Sequence, residues 1–422
     1  MQNDKKYCIF AVEMKTAHIE KIRKETQVAG ADAILITSNT NMYYAVGQIV
    51  MGYLYIPVVG DPVLFVRRPN NFDFVETRHA TSKNVETRHA TSENVETRHA
   101  TSVHYVRKPE QMAEIMAEHG IAMPQCIMLE GDSMSHSEWL RYEAIFPTAR
   151  AINGTPAIQR ARSIKTDDEI ELLRRSGRLH VEVYRKIPEL YRKGMTDVEL
   201  SIEIERLLRL AGNLGVFRIF GQSMEIFMGS LLAGDNGCEA SPYDFALGGK
   251  GIHPSIPVGA NNSVLEEGMS VMVDMNGNFT GYMTDMTRTF SIGKLAEKAY
   301  RAHRAAIEIE NEIAQMMRPG VVCEDIYVRA LDIAKRNRLD DCFMGSTQQA
   351  RFVGHGVGIE VNEMPVLAMR VHTQLEAGMT LAIEPKFVIK GTGAVGFENT
   401  FVITENGNEK LTVLDEEIIK FT

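Results

Sequence analysis

In MKTAHIEKIRKETQVA (14–29), Ile19, Ile22 and Val28 fall on one side of a 3.6-residue period, which predicts an amphipathic helix. ADAILITS (31–38) is short and apolar enough for a strand. NMYYAVGQIVMGYLYIPVVGDPVLFVRRP (41–69) holds two more strands, with Gly-Asp-Pro as their turn. PEQMAEIMAEHG (109–120) predicts a helix with Pro109 near its start and Gly120 at its end. CIMLEGD predicts a strand, and SHSEWLRYEAIF a helix capped by Ser135 or Ser137, with the single tryptophan, Trp139, used in core or interface packing. Helix and strand alternating over short connections make an α/β domain.

The pattern changes after residue 155. RARSIKTDDEIELLRRSGRLHVEVYRKIPELY begins a long helix with Thr166 or Asp167 as its cap, and KGMTDVELSIEIERLLRLAG a second capped at Thr196. Arg160, Arg162 and Lys165 ahead of the first read as a solvated basic face. VMVDMNGNFTGYMTDMTRTF predicts a β-hairpin turning at MNGNF, and two further helices cover 294–320 and 322–339. These readings place a domain boundary near residues 154–166, with an α/β domain before it and a mixed α+β domain after it.

Inside the first domain, VETRHATS occurs three times at a period of ten between residues 75 and 102. The units are polar, with only Val75, Val85 and Val95 as large apolar residues, so they build no core. The simplest reading is a tandem duplication in a surface loop, and the sharper one a weak metal- or partner-binding loop through His79, His89 and His99.

The 422 residues are 44% hydrophobic and 24% charged, as in a soluble globular protein, and the net charge of −9 argues against nucleic-acid binding. Five scattered cysteines without CxxC spacing, no signal-like leader and no long apolar run point to a cytoplasmic protein that does not span a membrane.

Against these apolar backgrounds a few polar residues stand out. Asp274 and Asp285 lie on the predicted hairpin, His355 between glycines in GHGVG, and Glu384 and Glu398 in the apolar runs GMTLAIEPKFVI and GAVGFENTFVIT. Buried carboxylates need a positive partner, and a pair of divalent metal ions would supply one. His253 sits in the long Gly- and Ser-rich stretch 220–262, where loops are often functional.

The order Asp–x10–Asp, His, Glu, Glu resembles the ligand pattern of the pita-bread metallopeptidase superfamily, in its creatinase, prolidase and aminopeptidase P branch. RARSIKTDDEI, KGMTDVEL, VLEEGM and LEAGMTLAIEP support the likeness, which covers most of the chain. It implies an α+β pita-bread catalytic domain at 158–422 behind a smaller α/β creatinase-type N-terminal domain at 1–155, and a homodimer. It also implies two divalent ions, manganese first and cobalt, zinc or iron as alternatives. Asp285 and Glu398 would bridge them, Asp274 would chelate one, and His355 and Glu384 would complete the other. A metal-bridging hydroxide would attack the scissile carbonyl, with Glu384 as proton acceptor and His253 steadying the intermediate.

The implied activity is that of an Xaa-Pro dipeptidase or aminopeptidase acting on a small peptide. This chain departs from the pattern at Asn362, where a second histidine is usual, and at Gly396, where an arginine is usual. Asn362 can still donate a hydrogen bond to an oxyanion. These changes on the substrate side leave room for a different enzyme on the same scaffold, a lyase or C–N hydrolase of a small polar metabolite. The relatives that cleave dimethylsulfoniopropionate are an example; they commonly carry an aspartate where this chain has Asn276.

Overall fold

A computed structural model describes residues 4–69, 102–221, 224–240, 242–243 and 245–422, with the side chains of 4–15 outside the description. The repeated segment, with His79, His89 and His99, lies outside the described residues. The chain divides into two compact units, 1–161 and 162–422.

The first unit is a six-stranded sheet. Its strands are β1 (Ala33–Ile36), β2 (Met51–Pro57), β3 (Val63–Arg68), β4 (Ser102–Tyr105), β5 (Cys126–Leu129) and β6 (Arg150–Asn153). They lie in the order β4-β3-β2-β1-β5-β6, with β2 antiparallel to both neighbours and the remaining pairs parallel. The helix predicted from residue 14 runs over Asp4–Val28. Its buried side uses Ile19, Ile22 and Thr26, whereas Val28 at its last position is exposed.

A helix at Asn39–Val46 falls within the stretch read as strand and loop. Ser38 caps it, Gly47 ends it in a left-handed conformation, and buried Glu130 accepts from the Ser38 N–H at 2.8 Å and from the Asn41 amide at 2.6 Å. Trp139 packs against the core of this unit.

The second unit contains β7 (Gly229–Ala233), β8 (Ser270–Asn278), β9 (Met283–Ser291), β10 (Phe352–Gly356), β11 (Glu363–Ala368), β12 (Thr380–Ile383), β13 (Lys386–Ile389), β14 (Gly393–Gly396), β15 (Asn399–Thr404), β16 (Gly407–Lys410) and β17 (Ile419–Lys420). They form a four-stranded sheet β17-β9-β8-β7, a five-stranded sheet β11-β10-β12-β15-β16 and the ribbon β13-β14. Helices Asp167–Tyr184 and Asp197–Leu210 pack on the first sheet, and Glu297–Met316 and Cys323–Arg336 on the second. Thr166 and Thr196 each complete a capping box, which fixes where the first two helices start.

Two expectations need correcting. The β8–β9 turn lies at residues 279–282, not at MNGNF, because Asn276 to Asn278 continue the ladder opposite Asp285 to Met283. Gly277 is tolerated inside the strand because the His180 ring and the Thr284 hydroxyl fill the space where a Cβ would stand. Arg162 and Lys165 are buried rather than solvated. The Arg162 guanidinium meets Glu360 at 2.7 Å and Glu363 at 2.5 Å, and Lys165 meets Glu363 at 2.9 Å. Burial opposes ionisation of Glu363, but the two cations overcome it and hold the carboxyl down at about 2.

Candidate active site

The hairpin register brings the two aspartates together. Asp274 pairs with Thr287 and Asp285 with Asn276, so both carboxylates leave the same face of the ribbon with one pair, Met275 and Met286, between them. The segment carrying Glu398 is bound to this face. Its N–H donates to Thr287 O at 3.1 Å, and the Thr287 hydroxyl donates to Glu398 Oε2 at 2.7 Å. One residue on, Arg288 is fully buried and its guanidinium donates to the carbonyls of Thr287 and Glu398, both at 2.8 Å. That side chain fixes the backbone of both strands behind the carboxylates. Thr400 adds a reciprocal pair, accepting from Asp285 N–H and donating to Asp285 O, both at 2.8 Å.

His355 comes from β10, opposite Ala382 of β12. Its Nδ1 lies 3.0 Å from Gly356 O, which can only accept, so Nδ1 carries a proton and Nε2 turns inward. There Nε2 is 3.4 Å from Glu384 Oε1 and 3.9 Å from Asp285 Oδ2. All five residues singled out in the sequence, Asp274, Asp285, His355, Glu384 and Glu398, therefore line one cavity of about 1010 Å³. Phe217, Ile219, Tyr243, Phe245, Phe343 and Phe352 supply apolar wall, and Arg351 is the one arginine among the lining residues.

A sixth group sits beneath them. Lys386, 1% exposed, places its ammonium 2.8 Å from Asp274 Oδ2, 2.7 Å from Glu384 Oε2 and 3.2 Å from Glu398 Oε2. Burial disfavours its charge, yet Asp274, Glu384 and Glu398 outweigh that and raise it well above an ordinary lysine. Nothing in the sequence reading marked this residue. The available signal was spacing, since Lys386 is two positions after Glu384 in an extended run and projects to the same side.

One ammonium does not offset four carboxylates. Burial opposes ionisation of Glu384, but Lys386 and His355 hold it down at about 2. Burial and the Asp274 charge push Asp285 up to about 7 against His355 and Lys386. Burial and Asp285 drive Glu398 well above the ordinary carboxylate range. Burial lowers His355, but its hydrogen bond to Glu384 and the surrounding carboxylates push it up to about 10. Asp285 and Glu398 are thus the carboxyls whose ionisation lacks sufficient positive charge nearby.

The Asp285 and Glu398 side also has the donor geometry for a divalent cation. Asp285, His355 and Glu398 each offer a ligand atom within 4.8 Å of the others, and buried Glu398 Oε1 has no hydrogen-bond partner. One imidazole nitrogen with carboxylate oxygens suits manganese, iron or zinc, so the donor set fits a metal ion here.

Two other expected participants have their polar atoms on other partners. His253 is exposed and is not among the cavity-lining residues; its Nδ1 lies 2.8 Å from the Ser255 hydroxyl and accepts from the Ser255 N–H at 3.2 Å. The tight turn at Pro254–Ser255 keeps the imidazole on its own loop. Asn362 lines the cavity, but its Oδ1 accepts from Phe220 N–H at 2.7 Å and its Nδ2 donates to Phe220 O at 3.0 Å. It clasps the wall segment at Phe220 rather than presenting a free carboxamide.

Comparison with known proteins agrees with this architecture. The model of metallopeptidase family M24 matches residues 171–405, more than half of the chain, and that of the creatinase/prolidase N-terminal domain matches 18–164. The Xaa-Pro dipeptidase of Pyrococcus furiosus is 25% identical over 403 residues, covering 95% of this chain and 99% of its own. An uncharacterized Bacillus subtilis peptidase is 25% identical over 402 residues, covering 95% and 99%. Among solved structures, the Xaa-Pro dipeptidase from Bacillus anthracis superposes with a TM-score of 0.74 at 23% identity, covering 96% of this chain and 99% of its own. The two-part creatinase-like fold expected from the sequence is therefore present. No helix of the described residues is long and apolar enough to cross a membrane.

Proposed function

Because the chain belongs to metallopeptidase family M24, we propose that it hydrolyses short peptides at an Xaa-Pro bond with a divalent metal held among Asp274, Asp285, His355, Glu384 and Glu398. The observation that carries this reading is the convergence of all five on one cavity, with a buried carboxylate oxygen of Glu398 unpartnered. The Xaa-Pro specificity rests on the names of the relatives, and the oxygen-rich donors favour manganese.

When bound, a divalent ion at these donors polarises a carbonyl and acidifies water. The rest is supplied by the chain's own groups. Glu384 stays ionised, with Oε2 on Lys386 and Oε1 near His355, and is the carboxylate placed to accept a proton. Apolar rings on the cavity wall exclude water and offer a surface to a pyrrolidine, while Arg351 at the exposed edge can pair with a peptide carboxylate. The four described cysteines are unpaired, which supports a reducing compartment such as the cytoplasm.

The test is turnover by the manganese-loaded chain of Xaa-Pro dipeptides, longer Xaa-Pro peptides and proline-free dipeptides, with Glu384→Ala as control. Cleavage confined to Xaa-Pro bonds and absent in the control is expected. Equal rates for chain and control would overturn the proposal.

A further inference from the structure

The proposed function calls for metal, but the geometry of the acidic cluster is not symmetric. On one side, Asp285, His355 and Glu398 present ligand atoms to each other, and Glu398 Oε1 is buried without a partner. On the other, the Lys386 ammonium already meets an oxygen from each of Asp274, Glu384 and Glu398, at 2.7 to 3.2 Å. Three carboxylates from three segments converging on one point is the coordination expected of a cation, and here the cation is covalently part of the chain.

The local structure places that ammonium and keeps it there. Lys386 opens β13 directly opposite Gly396 of β14. Gly396 has φ of 131°, and a Cβ there would lie 2.3 Å from Pro385 O and 2.8 Å from Lys386 Cα. Only glycine lets the two strands approach this closely. The arginine expected at 396 is thus absent, while its cross-strand neighbour carries the positive charge inward. Gly396 is further fixed by the Thr289 hydroxyl, which donates to its carbonyl at 2.7 Å, and by His303 Nδ1, which accepts from its N–H at 3.2 Å.

We infer that this chain is a single-metal variant of its scaffold, in which the Lys386 ammonium replaces one divalent ion between Asp274, Glu384 and Glu398, and one exchangeable ion binds at Asp285, His355 and Glu398. The inference rests on the reading of this cluster as a metal centre. A side-chain ammonium supplies fixed positive charge and hydrogen bonds but no vacant coordination position. Any Lewis-acid function therefore falls to the Asp285, His355 and Glu398 side, and Lys386 acts as a positioning residue that holds Glu384 and the distal carboxylates in place.

The experiment is metal counting on the purified full chain, stripped and then titrated with manganese, with the electron paramagnetic resonance signal as a second readout. Wild type is expected to bind one tight ion per chain with the six-line spectrum of an isolated Mn(II). Lys386→Ala, which removes the ammonium and opens its space, is expected to bind two and show a spin-coupled signal. Lys386→Met, uncharged but similar in bulk, is expected to remain at one. Two coupled ions in wild type would overturn the inference while leaving the peptidase reading intact. No tight ion in wild type would overturn that reading together with the inference. The wild-type count decides between these outcomes even if the alanine variant fails to fold.

Discussion

Asn362 shows how a residue can sit in a cavity and still be spent on structure. With Oδ1 and Nδ2 both on the Phe220 backbone, it fixes the wall segment that also receives the Val361 N–H at Arg218 O, 2.8 Å away. Asn362→Ala is expected to loosen that wall and raise KM several-fold while kcat changes little, because no interaction specific to the transition state is removed. Steady-state kinetics on the best Xaa-Pro substrate measures this, and a large fall in kcat at unchanged KM would contradict it. At this scale the site was mostly legible in the sequence. Acidic residues embedded in apolar runs are conspicuous because their burial is costly, and the order Asp, Asp, His, Glu, Glu singles out Asp274, Asp285, Glu384 and Glu398 among them. The sequence does not place His253, because a histidine in a glycine-rich loop looks the same whether it faces inward or turns onto its own serine. Lys386 escaped notice because lysine is ordinarily a surface residue, and only the tertiary pairing with three carboxylates shows otherwise.

Element boundaries followed the local signals wherever those were chemical. Thr166, Thr196 and Ser135 all cap the helices they were expected to cap, each in a reciprocal box. The β8–β9 turn was missed because Asn-Gly favours a turn locally, whereas the ladder opposite Asp285 holds Asn276 and Gly277 in extended pairing. Had the chain turned at Asn276–Gly277, Asp274 would pair with Phe279 and Asp285 would lie six positions further along, out of its reach. The β13–β14 ribbon tests this dependence of site on element. Gly396→Ala would place a methyl against Pro385 O and the Lys386 backbone, at a cost of about 1–3 kcal/mol. A lowered urea midpoint with weakened manganese affinity is the expected outcome. Unchanged affinity at lowered stability would show that the ribbon does not position the cluster.

A similar argument applies to the loop after His355. Glu363 receives the Ile359 N–H at 2.9 Å as well as Arg162 and Lys165, so the buried ion cluster shapes the segment that ends in Asn362. Arg162→Ala leaves two carboxylates buried without their main partner and is expected to cost about 3–5 kcal/mol, read as a fall in the urea midpoint by circular dichroism. The sequence could not reveal this, since the three basic residues precede a helix just as an exposed basic patch would, and the partners of Arg162 and Lys165 lie some two hundred positions away.

For the whole molecule, two buried histidines that are not among the cavity-lining residues should contribute to acid sensitivity. His180 is buried against the Thr284 hydroxyl at 3.1 Å, and burial, with the Arg288 charge, pushes it down to about 3. His303 is buried between Gly396 and Glu416 O, and burial pushes it down to about 4 despite the hydrogen bond to Glu416 O. Both have folded values below the ordinary 6.5, so the unfolded chain takes up protons first as the pH falls. Their contribution is fully present above 6.5 and is lost progressively toward about 4 and 3, by at most about 1.4 kcal/mol per pH unit for each ring. A double variant, His180→Gln with His303→Gln, no longer has these protons to gain. Its stability should therefore fall less than that of wild type between pH 7.5 and pH 5, even if it starts lower. Urea midpoints at the two pH values give the comparison, and taking the difference between proteins cancels the carboxylate titrations they share. Parallel losses in wild type and variant would mean that neither histidine is neutral in the folded chain at pH 5.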